Sequence, residues 1–155
     1  MASCLSDIQS FLALPSIAIV GVSRKEGSYS RTVFHDLRCS IPKVIPVNPE
    51  AEEIDGEPCA RSVSDLHPVP EGVMLLVHAG AVVDVARECI LAGVKMLWMR
   101  QGESASLSHR QAAEECRQAG LKVIEGECPL MFLRGGSWIH HAHAGLRKLV
   151  GTYPA

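Results

Sequence analysis

The sequence lacks the features that mark membrane, secreted and nucleic-acid-binding proteins. Its 155 residues contain no apolar run near the roughly 18 residues of a membrane helix. The first 16 residues have no cationic start and carry Asp7 ahead of a short apolar run, so we expect no signal peptide and a cytoplasmic protein with no membrane partner. Formal net charge is -2, and no basic face recurs along the chain. We therefore expect no nucleic-acid partner, because backbone binding needs clustered Lys and Arg.

The sequence also lacks the residue spacings that are typical of metal sites and disulfide frameworks. Six cysteines are scattered without a C-x-x-C pair or zinc spacing, which in a cytosolic chain predicts small buried thiols. His140, His141 and His143 cluster near the C-terminus, but no carboxylate or cysteine nearby completes a ligand set. We predict no metal site. The cysteines are Cys4, Cys39, Cys59, Cys89, Cys116 and Cys128.

Short apolar runs recur at regular intervals and are rich in β-branched residues. Runs that are apolar throughout, and do not alternate with polar residues, are typical of a parallel sheet buried on both faces. The predicted strands are residues 17–20, 43–47, 73–79, 95–99 and 121–126.

Amphipathic stretches lie between and around these strands. Gly93 and Gly120 each follow the last periodic residue of a stretch and precede the next strand, which indicates a left-handed helix stop. The predicted helices are residues 6–14, 29–40, 81–93, 107–120 and 137–150.

This alternation predicts an α/β fold: a doubly wound, three-layer, Rossmann-like parallel sheet of about five strands. We expect a single domain over 1–155, with its core at about 8–133 and a C-terminal helix at about 137–150. The proline-rich segment 48–72 replaces a full helix, and on that ground we favour strand order 3-2-1-4-5. Ligands bind such sheets at the carboxyl ends of the strands, where the strand order reverses, and the first strand lies next to that point.

The loop after the first strand, "GVSRKEGSYS", has the composition of a phosphate-binding loop. Gly21 and Gly27 permit tight turns, Arg24 and Lys25 supply charge, and Ser28 or Ser30 can cap the following helix. A turn with solvated cations is the simpler alternative. A dinucleotide fingerprint is excluded because serine replaces its second glycine and no acidic residue closes the second strand. A Walker loop is excluded because no G-K-[ST] follows.

Four segments together carry a family resemblance: "IAIVGVSRKEGSYS", "VIPVNP", "GVKMLWMRQGE" and "LKVIEGECPLMF". They resemble the stand-alone CoA-binding domain proteins, which are similar to the N-terminal CoA-binding domain of the succinyl-CoA synthetase α subunit. The resemblance covers roughly residues 8–133. It implies a Rossmann-like fold that holds coenzyme A.

The resemblance also implies which residues hold the parts of CoA. Gly21, Val22, Ser23, Arg24 and Lys25 would hold the diphosphate, with Ser30 and Arg31 beneath it. Val47, Asn48 and Pro49 would line the adenosine side, and His78, Ala79 and Gly80 the opposite wall. Arg100, Gln101 and Gly102 would approach the pantetheine arm, as would Cys128 and Pro129.

Three functions remain open at this point. The first is a non-catalytic carrier, sensor or regulatory module that binds CoA or an acyl-CoA, because no nucleophile is paired with a base in the sequence. The second is a component of an acyl-CoA ligase or transferase that uses His78 or Cys128. The third is a purely structural or partner-binding domain with an empty loop. A homodimer or an acyl-CoA enzyme as partner is equally open.

Overall fold

A computed structural model describes residues 4–100 and 106–133. Within these ranges the chain forms a five-stranded parallel sheet and a separate two-stranded hairpin. The strands of the large sheet are β1 (Ser16–Val20), β2 (Lys43–Val47), β5 (Gly72–Leu75), β6 (Met96–Met99) and β7 (Lys122–Glu125), and those of the hairpin are β3 (Glu53–Ile54) and β4 (Glu57–Pro58).

The helices begin and end close to the bounds that the sequence periodicity predicts. Gly93 and Gly120 adopt φ values of 83° and 87°, in the left-handed region that stops a helix. The helix predicted at 137–150 lies outside the described residues. The four α-helices of the described ranges are α1 (Leu5–Leu12), α2 (Tyr29–Arg38), α3 (Val82–Ala92) and α4 (Leu107–Gln118), and short 3-10 turns span Val63–Asp65 and Pro129–Met131.

The predicted strand order is wrong. The sheet has the order β2-β1-β5-β6-β7, so the third predicted strand, β5, pairs with β1 on the side away from β2. Pro46 explains why β2 is the edge. Its carbonyl accepts a hydrogen bond from the Ala60 N–H at 3.1 Å, so its nitrogen, on the same side of the strand, also points away from β1. A proline that cannot donate is tolerated at such an edge and not between two strands.

The sheet is covered on both faces, which confirms the three-layer α/β architecture. Ile17 and Ile19 of β1 pack on one face among residues of α1 and α2. Ala18 and Val20 pack on the other face among residues of α3 and α4. Because successive side chains of a strand point to opposite faces, a doubly covered strand must be apolar throughout. Trp98 of β6 is fully buried, and its Nε1 donates to the Glu127 carbonyl at 3.0 Å.

The described residues contain no membrane-spanning helix, metal-binding group or disulfide. None of the helices within 4–100 and 106–133 is both long and apolar enough to cross a bilayer. In the same ranges no group of three or more His, Cys, Asp and Glu side chains is arranged to hold a metal. The His140, His141 and His143 cluster lies outside the described residues. All six cysteines are free thiols, but only Cys89 and Cys116 are buried, so the expectation of buried thiols is wrong for the other four.

Candidate functional site

The order in which strands are added to the sheet reverses between β1 and β5, and the carboxyl ends of these two strands mark that point. After β1 the chain turns into α2, which packs on the same face as α1, whereas after β5 it turns into α3 on the opposite face. A crevice opens where adjacent crossovers diverge in this way, and ligands of open α/β sheets bind there. The loop 21–28 leads from β1 into α2 and borders this crevice.

Gly21 fixes the loop against the end of the neighbouring strand. Its φ is 95°, and a Cβ at this position would lie 2.6 Å from the Leu76 carbonyl oxygen. Its N–H donates to the Val47 carbonyl at 2.9 Å. Only glycine allows this close backbone approach with a positive φ. The residue therefore joins the ends of β2, β1 and β5, a packing role that we did not expect from the sequence.

Hydrogen bonds from two polar side chains hold the loop in place. The Ser30 hydroxyl accepts from the Ser23 N–H at 2.9 Å. The Asn48 Nδ2 donates to the Val22 carbonyl at 2.7 Å, while its Oδ1 accepts from the Glu50 N–H at 2.8 Å. The predicted adenosine residue Asn48 thus supports the loop through its Nδ2 and the turn after β2 through its Oδ1.

The predicted phosphate cations differ in how they are engaged. Arg31 is committed to the protein: it forms an ion pair with Asp55 of the β3–β4 hairpin and donates to the Arg24 carbonyl at 2.7 Å. Hydrogen bonding to Arg31 lowers the pKa of Asp55. Arg24 is exposed and pairs with Glu50 at 2.8 Å. Lys25 is exposed and has no ion pair within the described residues.

The N-terminus of α2 is open toward the crevice. Ser28 is the N-cap residue, but its side chain makes no capping hydrogen bond. Its Oγ is buried and has no hydrogen-bond partner within the described residues. A buried hydroxyl without a partner costs free energy and is uncommon in native proteins. The first-turn N–H groups of α2 and the Ser28 hydroxyl are therefore available to an anionic group.

Two cavities flank the loop and share residues 76–78 as a common wall. The first, which we call the α2–α4 cavity, has a volume of about 470 Å³ and is lined by residues 28–30 and 76–79, Arg100, Ser106 and His109. The second, the β2–α3 cavity, has a volume of about 420 Å³ and is lined by residues 20–21, 48–50, 61–62, 76–78, Ala81, Val85 and Glu88.

An aromatic ring and a guanidinium form one wall of the α2–α4 cavity. The Arg100 guanidinium carbon lies 3.9 Å from the centroid of the Tyr29 ring, within the range of a cation–π contact. The Tyr29 hydroxyl lies 3.4 Å from the Cys128 Sγ. Burial raises the pKa of Tyr29, so the phenol stays neutral. Seen from the cavity, Cys128 therefore lies behind the Tyr29 ring.

The opposite wall of that cavity is the N-terminus of α4. The Ser106 hydroxyl accepts from the His109 N–H at 3.3 Å and lies 2.7 Å from the His109 Nδ1. Ser106 is the N-cap of α4, and His109 is buried. The hydroxyl thus satisfies a first-turn donor of its own helix.

The structure brings together part of the predicted set of residues. Those that line a cavity are Gly21, Ser30, Asn48, Pro49, His78, Ala79 and Arg100. The other described residues of the set line neither cavity: the fully buried Val22 and Val47, the exposed Gly80, and Ser23, Arg24, Lys25, Arg31, Cys128 and Pro129. Gln101 and Gly102 lie outside the described residues.

Sequence reasoning missed other residues that line the cavities. The sequence indicates Ser28 only as a helix cap and Tyr29 and His109 only as parts of helices, and Ser106 lies outside the predicted helix 107–120. Their positions at the starts of helices that follow strands of the parallel sheet are the signal that could identify them. Arg61 carried no signal, because the segment 48–72 has no periodicity that places its residues.

Comparisons with known proteins point to one family. The sequence profile of the CoA binding domain family matches residues 15–134. An ADP-forming acetate–CoA ligase of Methanocaldococcus jannaschii is 34% identical over 80 residues, which are 52% of this chain and 11% of that protein. The chain therefore spans about a tenth of the length of that curated relative.

Solved structures give the same picture. A protein of Pyrococcus horikoshii OT3 is 30% identical, with a TM-score of 0.70, over 80% of this chain and 85% of that one. The dinucleotide-forming acetyl-coenzyme A synthetase 1 of Ca. Korarchaeum cryptofilum is 26% identical, with a TM-score of 0.62, over 70% of this chain and 25% of that one.

Proposed function

The chain belongs to the CoA binding domain family, and from that premise we propose that it binds coenzyme A or an acyl-CoA across both cavities. The observation that carries the proposal is the open N-terminus of α2, with the buried, unpartnered Ser28 hydroxyl, between two adjoining cavities. Each cavity lies within the range of roughly 300–1,000 Å³ that is usual for small-molecule sites.

The diphosphate would lie at the loop 21–28 and the start of α2. Backbone N–H groups at a helix N-terminus favour negative charge, and Ser28 adds a hydroxyl donor. Lys25 and Arg24 are exposed on the same loop and supply cations. Arg31 would act indirectly, because its contact with the Arg24 carbonyl shapes the loop.

The adenosine would occupy the β2–α3 cavity and the pantetheine arm the α2–α4 cavity. Val20, Val85 and Leu76 give the β2–α3 cavity apolar walls suited to a base. The α2–α4 cavity continues from the start of α2 to Arg100 and the start of α4, as an extended arm requires. The shared wall at 76–78 would lie beneath the join between nucleotide and arm.

We infer a carrier, sensor or regulatory role that involves no catalytic step by this chain. Ser106 and His109, the serine–histidine pair of the α2–α4 cavity, are engaged in capping α4. Cys128 is half-buried behind Tyr29 and outside both cavities. These observations support binding more than covalent catalysis.

Isothermal titration calorimetry with CoA, acetyl-CoA, NAD and ATP at physiological salt tests the proposal. We expect saturable binding of CoA and acetyl-CoA that is much tighter than binding of NAD or ATP. Replacing Arg24 and Lys25 together by Gln should weaken CoA binding by about 2–4 kcal/mol, at 1–2 per charge-assisted contact. Absence of saturable CoA binding to the wild type would refute the proposal.

A second candidate is a component of an acyl-CoA ligase, alone, as a homodimer or with an enzyme partner. It is favoured by the matches to an acetate–CoA ligase and an acetyl-coenzyme A synthetase, of which this chain spans only 11% and 25%. It predicts turnover of an acyl-CoA that His78→Ala or Cys128→Ala abolishes. If both variants retain the turnover of the wild type, neither side chain is catalytic and this candidate fails.

A further inference from the structure

Arg61 is a positively charged residue that lines the β2–α3 cavity, and the residues on either side of it fix its backbone at the cavity wall. The preceding residue, Ala60, is attached to the outer edge of β2: its N–H donates to the Pro46 carbonyl at 3.1 Å, and its carbonyl accepts from the Asn48 N–H at 2.9 Å. The following residue, Ser62, donates through its hydroxyl to Asp65 Oδ2 at 2.9 Å. Arg61 therefore extends from a backbone that is anchored on both sides.

The carboxylates that share this cavity are already engaged. Glu50 pairs with Arg24 at 2.8 Å. Glu88 of α3 accepts from both the N–H and the hydroxyl of Ser64, each at 2.8 Å. Within residues 4–100 and 106–133, the exposed Arg61 guanidinium forms no ion pair and no side-chain hydrogen bond. An unengaged guanidinium beside an apolar cavity is suited to bidentate recognition of a phosphate.

The position of Arg61 indicates which phosphate it would contact. The diphosphate belongs at the start of α2, where residues 28–30 line the other cavity, and Arg61 does not line that cavity. Arg61 lies on the adenosine side, beyond the edge strand β2. CoA carries a second phosphate there, a monoester on its ribose, which neither NAD nor ATP has.

We propose that Arg61 binds the ribose 3′-phosphate of CoA and so distinguishes CoA from nucleotides that lack this group. The inference rests on the proposed function, because it assigns a part of the same ligand to a further residue. It explains how a cavity that is also lined by the carboxylates Glu50 and Glu88 could accept a ligand of high negative charge.

Calorimetry with three probes tests Arg61 directly: CoA, dephospho-CoA and adenosine 3′,5′-bisphosphate. The wild type should bind CoA about tenfold or more tightly than dephospho-CoA, as one charge-assisted contact predicts. Arg61→Gln should abolish this preference and weaken the binding of the bisphosphate to a similar degree. The affinity for dephospho-CoA should stay unchanged. Arg61→Lys should keep part of the preference, because a lysine retains the charge without the planar fork.

Lys95→Gln is the matched control, because it removes one positive charge at the amino end of β6, whereas the cavity lies at the carboxyl ends of the strands. It should leave the preference intact. If the wild type binds CoA and dephospho-CoA equally, or if Arg61→Gln keeps the preference, the assignment of Arg61 is overturned while CoA binding stands. If the wild type binds neither ligand, the proposed function itself fails.

Discussion

The starts of α2 and α4 face the same cavity, and both have serine at the N-cap, yet they are built differently. At α4 the Ser106 hydroxyl accepts from the His109 N–H and contacts its ring. At α2 the Ser28 hydroxyl is buried and has no partner within the described residues, and it caps no N–H of its helix. One N-terminus is closed by its own side chains and the other is open.

The difference suggests that the start of α4 contributes to the stability of the free protein and the start of α2 to ligand binding. A satisfied N-cap stabilises a helix by about 1 kcal/mol, whereas a buried hydroxyl without a partner destabilises the free protein. A ligand that supplies the missing partner at α2 would recover that cost only in the bound state. We therefore assign α4 to the scaffold of the cavity and α2 to the ligand.

The largest effect is expected where the loop that leads into α2 is fixed. Gly21→Ala places a Cβ 2.6 Å from the Leu76 carbonyl oxygen at a φ of 95°, so it should lower the free energy of unfolding by roughly 3 kcal/mol. Gly27→Ala is the control: it has a φ of 71° but open space around its Cβ, and should cost only about 1 kcal/mol. Urea denaturation measures both. Equal losses would show that the contact with β5 is unimportant.

The two serines should respond in opposite ways to the same replacement. Ser106→Ala removes a cap and should cost about 1 kcal/mol of unfolding free energy, with little effect on the affinity for CoA. Ser28→Ala removes an unpartnered hydroxyl, so it should leave stability unchanged or raise it, while it weakens CoA binding by about 1 kcal/mol. Thermal unfolding and calorimetry on the two variants provide the readouts. A destabilised Ser28→Ala protein with normal affinity would assign α2 to the scaffold as well.

A smaller effect is expected at the contact between Arg100 and Tyr29, which joins β6 to the start of α2. Arg100→Gln removes a cation centred 3.9 Å from the ring centroid and should cost about 0.5–1 kcal/mol of unfolding free energy. Arg110→Gln, on the first turns of α4, removes the same charge from an exposed side chain and should cost less. If the two losses are the same, the ring contact contributes nothing to stability.

The smallest effect concerns how α4 is attached to α3. The Arg87 guanidinium binds Glu115 with contacts of 2.7 and 2.8 Å and, with Gln111, lowers the pKa of Glu115 to about 2. A carboxyl with a lowered folded-state pKa adds stability above its ordinary pKa, near 4.5, and loses it as the pH falls toward 2. Arg87→Gln should reduce the loss of stability over this window, although exposure keeps the effect small. If the free energy of unfolding of Arg87→Gln has the same slope against pH as that of the wild type, the prediction is wrong.

The fold was largely predictable from the sequence because a sheet covered on both faces requires continuous apolar strands. The runs at Ile17, Val73 and Leu97 satisfied that requirement, and the family resemblance was confirmed. The predicted strand order was wrong, although Pro46 carried the information: a residue without an N–H favours the edge position that β2 occupies.

The candidate site was predictable only where it follows a strand directly. Gly21, Asn48 and His78 lie at the carboxyl ends of neighbouring strands, so topology alone places them together. Two features needed coordinates: the unpartnered state of Ser28, because local sequence gives a helix cap its usual role, and the position of Arg61, because it depends on hydrogen bonds to the edge strand.

The most direct test of the account is to map where CoA binds by following backbone amide chemical shifts of the isotopically labelled protein during a titration. The account predicts saturable shifts at residues 21–30, 48–50 and 76–81, with smaller changes at the capped start of α4. The amides of Lys95 and Lys122, at the amino ends of β6 and β7, should stay unchanged. Shifts confined to the amino ends of the strands, or no saturable shifts at all, would contradict it.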